Sequence, residues 1–145
     1  MIRRHLLMLS GLGAVFWFLQ DTKTPAARLR MKVVYHLSDV DKVGFVLGNI
    51  VNHLNAIGNT NDADIRLVVH GPALMAFSTR SMDVEIDERL VQLRERGLGL
   101  EACGNTMKGA GLTLADLASG FIRIEEGGVY RLAALQMEGY AYIRP

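Results

Sequence analysis

Three side chains able to hold a proton or attack an electrophile stand at or near the carboxyl ends of short apolar runs. His36 follows Val33-Val34-Tyr35, His70 follows Leu67-Val68-Val69, and Cys103 follows Leu100-Glu101-Ala102. They lie far apart in the chain, so local patterning does not explain their common placement. Cys103 carries the strongest chemistry. A free thiol of pKa about 8.5 is only about 3% ionised at pH 7, whereas one lowered to about 7 is half thiolate. That shift is worth about 2 kcal/mol. The surrounding Ala102-Cys103-Gly104-Asn105-Thr106-Met107 favours it. Gly104 permits a tight turn with close backbone approach, and Asn105 or Thr106 can cap a helix beginning there. The free amides and positive end of such a helix stabilise a thiolate. A protonated His36 or His70 nearby would add to the effect.

The candidate site is therefore Cys103, His36 and His70 as reacting groups, with Gly71, Gly104, Asn105 and Thr106 lining the ligand position. Each has a plainer alternative. Lone cysteines commonly pack as small hydrophobes, and a histidine at a strand end can simply bond a loop. His53, inside a helical stretch, reads as a surface residue. Three ligands would suffice for a catalytic zinc, but no local pair stands at ligand spacing. No metal and no cofactor are expected. Gly104, Gly109 and Gly111 do not make a phosphate loop, because Lys108-Gly109 reverses the required Gly-Lys order. The acids Asp83, Glu85, Asp87 and Glu88 begin a helix, where they complement its dipole. Met75, Met82, Met107 and Met137 read as core filler.

The elements that must position these groups alternate strand and helix, as βαβ units around a parallel sheet do. Strands are predicted over residues 32–37, 64–70, 98–102, 121–124 and 140–143. Helices are predicted over 40–57, 73–77, 86–96 and 129–138, with a further short one after the capping-box pattern at Thr113-Leu114-Ala115-Asp116. In the first helix Val43, Val46, Leu47, Ile50, Val51 and Leu54 recur at spacings of three and four. Helices should cover both sheet faces. The fold class is a small doubly wound α/β domain with a mostly parallel sheet of four to five strands. In such sheets ligands bind outside the carboxyl ends of the strands, where the three reactive residues fall.

The chain has 145 residues, half of them apolar and 21% charged, with a single cysteine. That is a globular composition without a disulfide framework. Residues 1–30 hold five basic side chains and one acidic. Residues 31–145 are left net acidic, with no footprint for nucleic acid. Residues 1–30 themselves read as an export signal or membrane anchor. Arg3-Arg4 precedes an uncharged run from Leu6 to Leu19, in the style of a twin-arginine leader. The run is short for a membrane span, so membrane contact is expected only through this segment if uncleaved. The protein is then periplasmic or exported. With Met31 as the true start it is cytoplasmic instead. Residues 31–145 are the folded domain.

Lys32-Val33-Val34-Tyr35-His36-Leu37-Ser38-Asp39, Val69-His70-Gly71-Pro72-Ala73-Leu74 and the Cys103 motif together resemble the DsrE/DsrF-like family, in its single-domain branch. The resemblance implies a flavodoxin-like domain assembled as a homo-oligomer, a trimer or hexamer. It also implies sulfur relay, with sulfur held as a persulfide on the cysteine corresponding to Cys103. The expected function is a sulfur-trafficking, sulfurtransferase-like carrier. Its partners would be a donor or acceptor protein, or a small sulfane-sulfur species. The alternative is a non-catalytic oligomeric protein that binds a small ligand or metal, in which Cys103 is structural. Val129, Leu132, Ala133, Leu135, Met137, Tyr140 and Tyr142 could form an oligomer seam, although packing on the domain's own core is the simpler expectation.

Overall fold

A computed structural model describes residues 30–145; residues 1–29, and with them the leader read from the sequence, lie outside the described residues. Five strands form one sheet: β1 (Met31–Leu37), β2 (Ala63–Val69), β3 (Gly99–Cys103), β4 (Phe121–Ile124) and β5 (Ala141–Ile143). Their order is β4-β3-β2-β1-β5, and every pairing is parallel. Four helices connect them: α1 (Val43–Ile57), α2 (Val84–Glu95), α3 (Gly104–Ala110) and α4 (Gly128–Met137). Among the described residues no helix is long and apolar enough to cross a membrane.

Strand alternation divides the sheet into two unlike faces. Val33, Tyr35, Leu37, Ile65, Leu67, Val69, Leu100 and Ala102 point to one side. There they pack against Val46, Leu47, Ile50 and Leu54 of α1, Leu90 and Leu93 of α2, and Met107 of α3. Each such leucine or isoleucine contributes about 1.5–3 kcal/mol by leaving water, so this face holds the domain together. Among the described residues the opposite face carries only α4, and its apolar cluster is Val34, Val68, Leu132, Leu135 and Tyr140.

Polar side chains complete that second face. Glu101 is fully buried in β3. It accepts two hydrogen bonds from Arg131 of α4, from Nε at 2.6 Å and Nη2 at 3.0 Å. Arg66 lies 3.7 Å away on β2 and pairs with Asp64 at 2.7 Å. Tyr140 Oη donates to the same Asp64 at 2.8 Å. A bidentate guanidinium–carboxylate pair fixes orientation as well as distance. It therefore sets where the first turn of α4 lies over the sheet.

The strands follow their predicted ranges to within one residue at each end. The helix expected from residue 40 opens instead as a 3-10 turn, Val40–Lys42, before α1. The helix expected over 73–77 is a 3-10 run, Gly71–Phe77, with proline in its first turn. Asp83 caps α2 by accepting the Glu85 amide, and the Thr113–Asp116 capping box forms. Three side chains depart from expectation. Met137 is 90% exposed and Met75 44% exposed rather than core, because each lies on the outer side of its element, α4 and the 3-10 run Gly71–Phe77. His53 is half-buried, its Nδ1 2.9 Å from the Tyr35 hydroxyl, because α1 turns that residue toward the sheet.

Candidate functional site

The connections leaving β1, β2 and β3 all pass to the face of α1, α2 and α3, whereas the one leaving β4 passes to the face of α4. Adjacent strands whose connections diverge leave a crevice between them, and that crevice is where open α/β sheets bind ligands. Here it falls between β3 and β4. Cys103 is the last residue of β3 and the N-cap of α3. Gly128 opens α4 on the other side of the crevice.

The two helix starts converge on one sulfur. Burial pushes the Cys103 thiol up, but the Thr106 hydroxyl and the amides of Gly128, Thr106 and Asn105 outweigh it and hold the group below the usual thiol range. As a thiol the side chain makes no close cap bond; these donors favour the thiolate. Thr106 is itself aimed, since Oγ1 accepts the Gly71 amide at 2.9 Å. That leaves its O–H free for the sulfur, polarised by the bond it accepts. Cys103 is buried, with 6% of its surface exposed.

The glycines make this approach possible. A Cβ on Gly104 would sit 2.7 Å from the Ile124 carbonyl oxygen, so only glycine lets α3 start against the end of β4. Gly127 has φ +94°, and a Cβ there would meet Asn105 Nδ2 at 2.5 Å and lie 3.7 Å from the sulfur. A Cβ on Gly128 would lie 3.2 Å from His70 Cβ and 3.3 Å from Cys103 Cβ. Gly128 thus separates the histidine from the cysteine. Gly128→Ala, which strains no dihedral, is expected to push the α4 amide away from the sulfur. Alkylation of Cys103 at pH 6 should slow several-fold while the unfolding midpoint moves little; an unchanged rate would show that the amide does not matter.

His36 and His70 meet head to head. Their Nε2 atoms are 2.6 Å apart. The rings are inclined by only 21°, with centroids 4.7 Å apart. That separation matches two nearly coplanar rings in line, not two stacked faces. One nitrogen therefore donates a hydrogen to the other. His36 Nδ1 is 2.6 Å from the Tyr142 hydroxyl. Burial, then the His70 charge and then Arg144 lower the His36 pKa to about 4 against the raising effect of Asp39. Burial and Arg144 lower His70 as well. Both rings are thus neutral at pH 7. The charge that a protonated histidine would lend the thiolate is absent, and amides and a hydroxyl supply the stabilisation instead.

Of the sequence-derived residues, Cys103, Gly104, Asn105 and Thr106 come together at the start of α3, joined by Gly71 through Thr106. His70 extends the β2–β3 register to stand beside Cys103. His36 reaches the group only through His70. Gly127, Gly128 and Tyr142 were not anticipated. The paired glycines before α4 were a legible sign of close backbone approach, whereas nothing local marks Tyr142. Among the described residues no group of three or more His, Cys, Asp or Glu side chains is placed to hold a metal ion.

A parallel α/β domain presenting an amide-held thiol at its topological switch point is the class that fold and site define. The chain belongs to the DsrE/DsrF-like family, whose model matches residues 41–145, and that family is associated with sulfur relay. It is similar to the solved structure of a protein of unknown function, MTH1491, from Methanobacterium thermoautotrophicum. The two are 26% identical with a TM-score of 0.69, over 79% of this chain and 99% of that one. The ychN protein from E. coli has a TM-score of 0.61 at 16% identity, over 79% and 100% of the two chains. BT1422, a conserved protein of unknown function from Bacteroides thetaiotaomicron, has 0.61 at 14%, over 79% and 95%. The last two show the fold alone. A comparison with curated proteins finds no match.

Proposed function

We propose that this protein is a persulfide carrier that accepts a sulfane sulfur on Cys103. The observation that carries this reading is the convergence of Thr106, Asn105 and Gly128 on one sulfur, which favours its thiolate. Thiol exchange needs a thiolate and an open line of attack. With 6% of Cys103 exposed, that line suits a slender sulfane-sulfur species better than a protein loop. Exposed Val129, Tyr130 and Met137 on α4, with Ile122 on the same side of the sheet, support assembly of several copies, and the family resemblance makes that a trimer or hexamer.

Reduced protein incubated with a small organic persulfide is expected to gain one sulfur by intact mass, and Cys103→Ser to gain none. Equal uptake by the variant, or none by the native chain, would end the proposal. The low exposure also favours a second reading, in which Cys103 is a structural thiol beside a ligand cleft. Alkylation at pH 6 separates the two. A carrier thiol reacts far faster than a model thiol, whereas a structural one stays inert until the chain unfolds.

A further inference from the structure

Side chains on one sheet face are two residues apart along a strand, so a diagonal across parallel strands brings distant positions side by side. The α4 face carries such a diagonal. Tyr142 on β5 is level with Val34, two residues below His36 on β1; His36 is level with Val68, two below His70; His70 is level with Cys103. Each of the first two steps is closed by a 2.6 Å contact, Tyr142 Oη to His36 Nδ1 and His36 Nε2 to His70 Nε2. At the last step His70 and Cys103 both flank the Gly128 position. The row begins in solvent, where Tyr142 is 42% exposed, and ends at a buried sulfur.

We infer that Tyr142, His36 and His70 form a proton path between solvent and the Cys103 crevice. This rests on Cys103 being the sulfur acceptor. Neutral imidazoles conduct by exchanging tautomers. With Tyr142 donating to His36 Nδ1 and His36 Nε2 donating to His70, the His70 hydrogen sits on Nδ1. One shift along the row passes the His36 Nε2 hydrogen to His70 Nε2, releases the His70 Nδ1 hydrogen into the crevice, and refills His36 Nδ1 from Tyr142 and water. The groups bearing on this chain are Arg144 and Asp39, which lie on its β1 side and are hydrogen-bonded to each other at 3.1 Å.

The chemistry gives such a path work to do. Cys103, held as its thiolate, attacks the outer sulfur of a donor R–S–SH with a sulfur lone pair. The new S–S bond forms as the donor's S–S bond breaks, and R–S⁻ departs with that electron pair. It takes a proton from His70 and leaves as R–SH, with Cys103 as its persulfide, and the path from water through Tyr142 and His36 restores the proton to His70. No external oxidant or reductant enters. His70 serves the reacting atoms, and His36 and Tyr142 are positioning residues that set its tautomer and connect it to water.

The test compares native protein with His36→Asn and Tyr142→Phe in single-turnover sulfur uptake from a small organic persulfide, across pH 5–8. His36→Asn is expected to slow uptake at least tenfold, since placed acid–base groups contribute about 10²–10⁴-fold. Tyr142→Phe should slow it several-fold, and added imidazole should restore part of the rate in a His70→Gly variant. Alkylation of Cys103, which needs no returned proton, should keep its native rate in His36→Asn and Tyr142→Phe. Native uptake rates in both variants would overturn the path. So would parallel losses of uptake and alkylation, which would mark the row as merely structural. If the native chain takes up no sulfur, the carrier proposal fails, and imidazole ¹⁵N spectra judge the path separately. Tyr142→Phe must then move the signals of both His36 and His70, and a shift confined to His36 overturns it.

Discussion

Replacing Glu101 by glutamine is expected to cost about 3 kcal/mol of stability and to lower the thermal midpoint by roughly 10 °C. The carboxylate is fully buried and bonded twice by Arg131, with Arg66 at 3.7 Å. Removing its charge leaves two guanidinium groups facing each other across a face whose apolar cluster has only five residues. Breaking a buried pair typically costs 3–5 kcal/mol. The lower end applies because about a quarter of the Arg131 side chain reaches water. Urea unfolding of the native chain and Glu101→Gln measures the difference. A loss under about 1 kcal/mol would mean that α4 is held by its apolar contacts alone. The double change Glu101→Leu with Arg131→Met should recover most of the loss, because an apolar pair in place of a buried ion pair is often neutral or stabilising. Arg66 keeps Asp64 as its partner in that variant.

The same pair explains why half of the architecture was legible in the sequence and half was not. The face of α1 and α2 is written in local code: short apolar strand runs, and a helical stripe at spacings of three and four. The face of α4 is not. Glu101 sits inside Leu100-Glu101-Ala102-Cys103, and its partner lies thirty residues later on α4. No local pattern joins the two. The site divides in the same way. Gly104, Asn105 and Thr106 are neighbours of Cys103 in the chain, so their convergence is a short-range fact. Gly128 and Tyr142 arrive through the crossover of α4 to the far edge of the sheet. The histidines are legible because each lies at or near a strand end, yet their neutrality depends on burial and on Arg144, which stands in the tail after β5.

That neutrality has a consequence for folding. The His36 pKa falls from an unfolded value near 6.5 to about 4 in the native chain. Between those values the unfolded state binds a proton that the folded state refuses, so stability rises with pH across that window. It is fully present above pH 6.5 and is lost as the pH falls toward 4. One proton changes stability by about 1.4 kcal/mol per pH unit, so acidification from pH 7 to 4 should remove about 3 kcal/mol through His36. His70 is lowered as well and acts with the same sign. Asp64 is also held below its ordinary value, by Arg66 and Tyr140 against its burial. Its contribution is lost only at lower pH, in the carboxylate range, and leaves the histidine window clear. Urea unfolding at half-unit steps from pH 7 to 4 should therefore show a slope that His36→Asn reduces by about one proton. A flat profile in the native chain, or an equal slope in His36→Asn, would mean that the Nε2–Nε2 pair accepts a proton freely. The imidazoles beside Cys103 would then be charged at mildly acidic pH, and the thiolate would owe part of its stability to them rather than to amides alone.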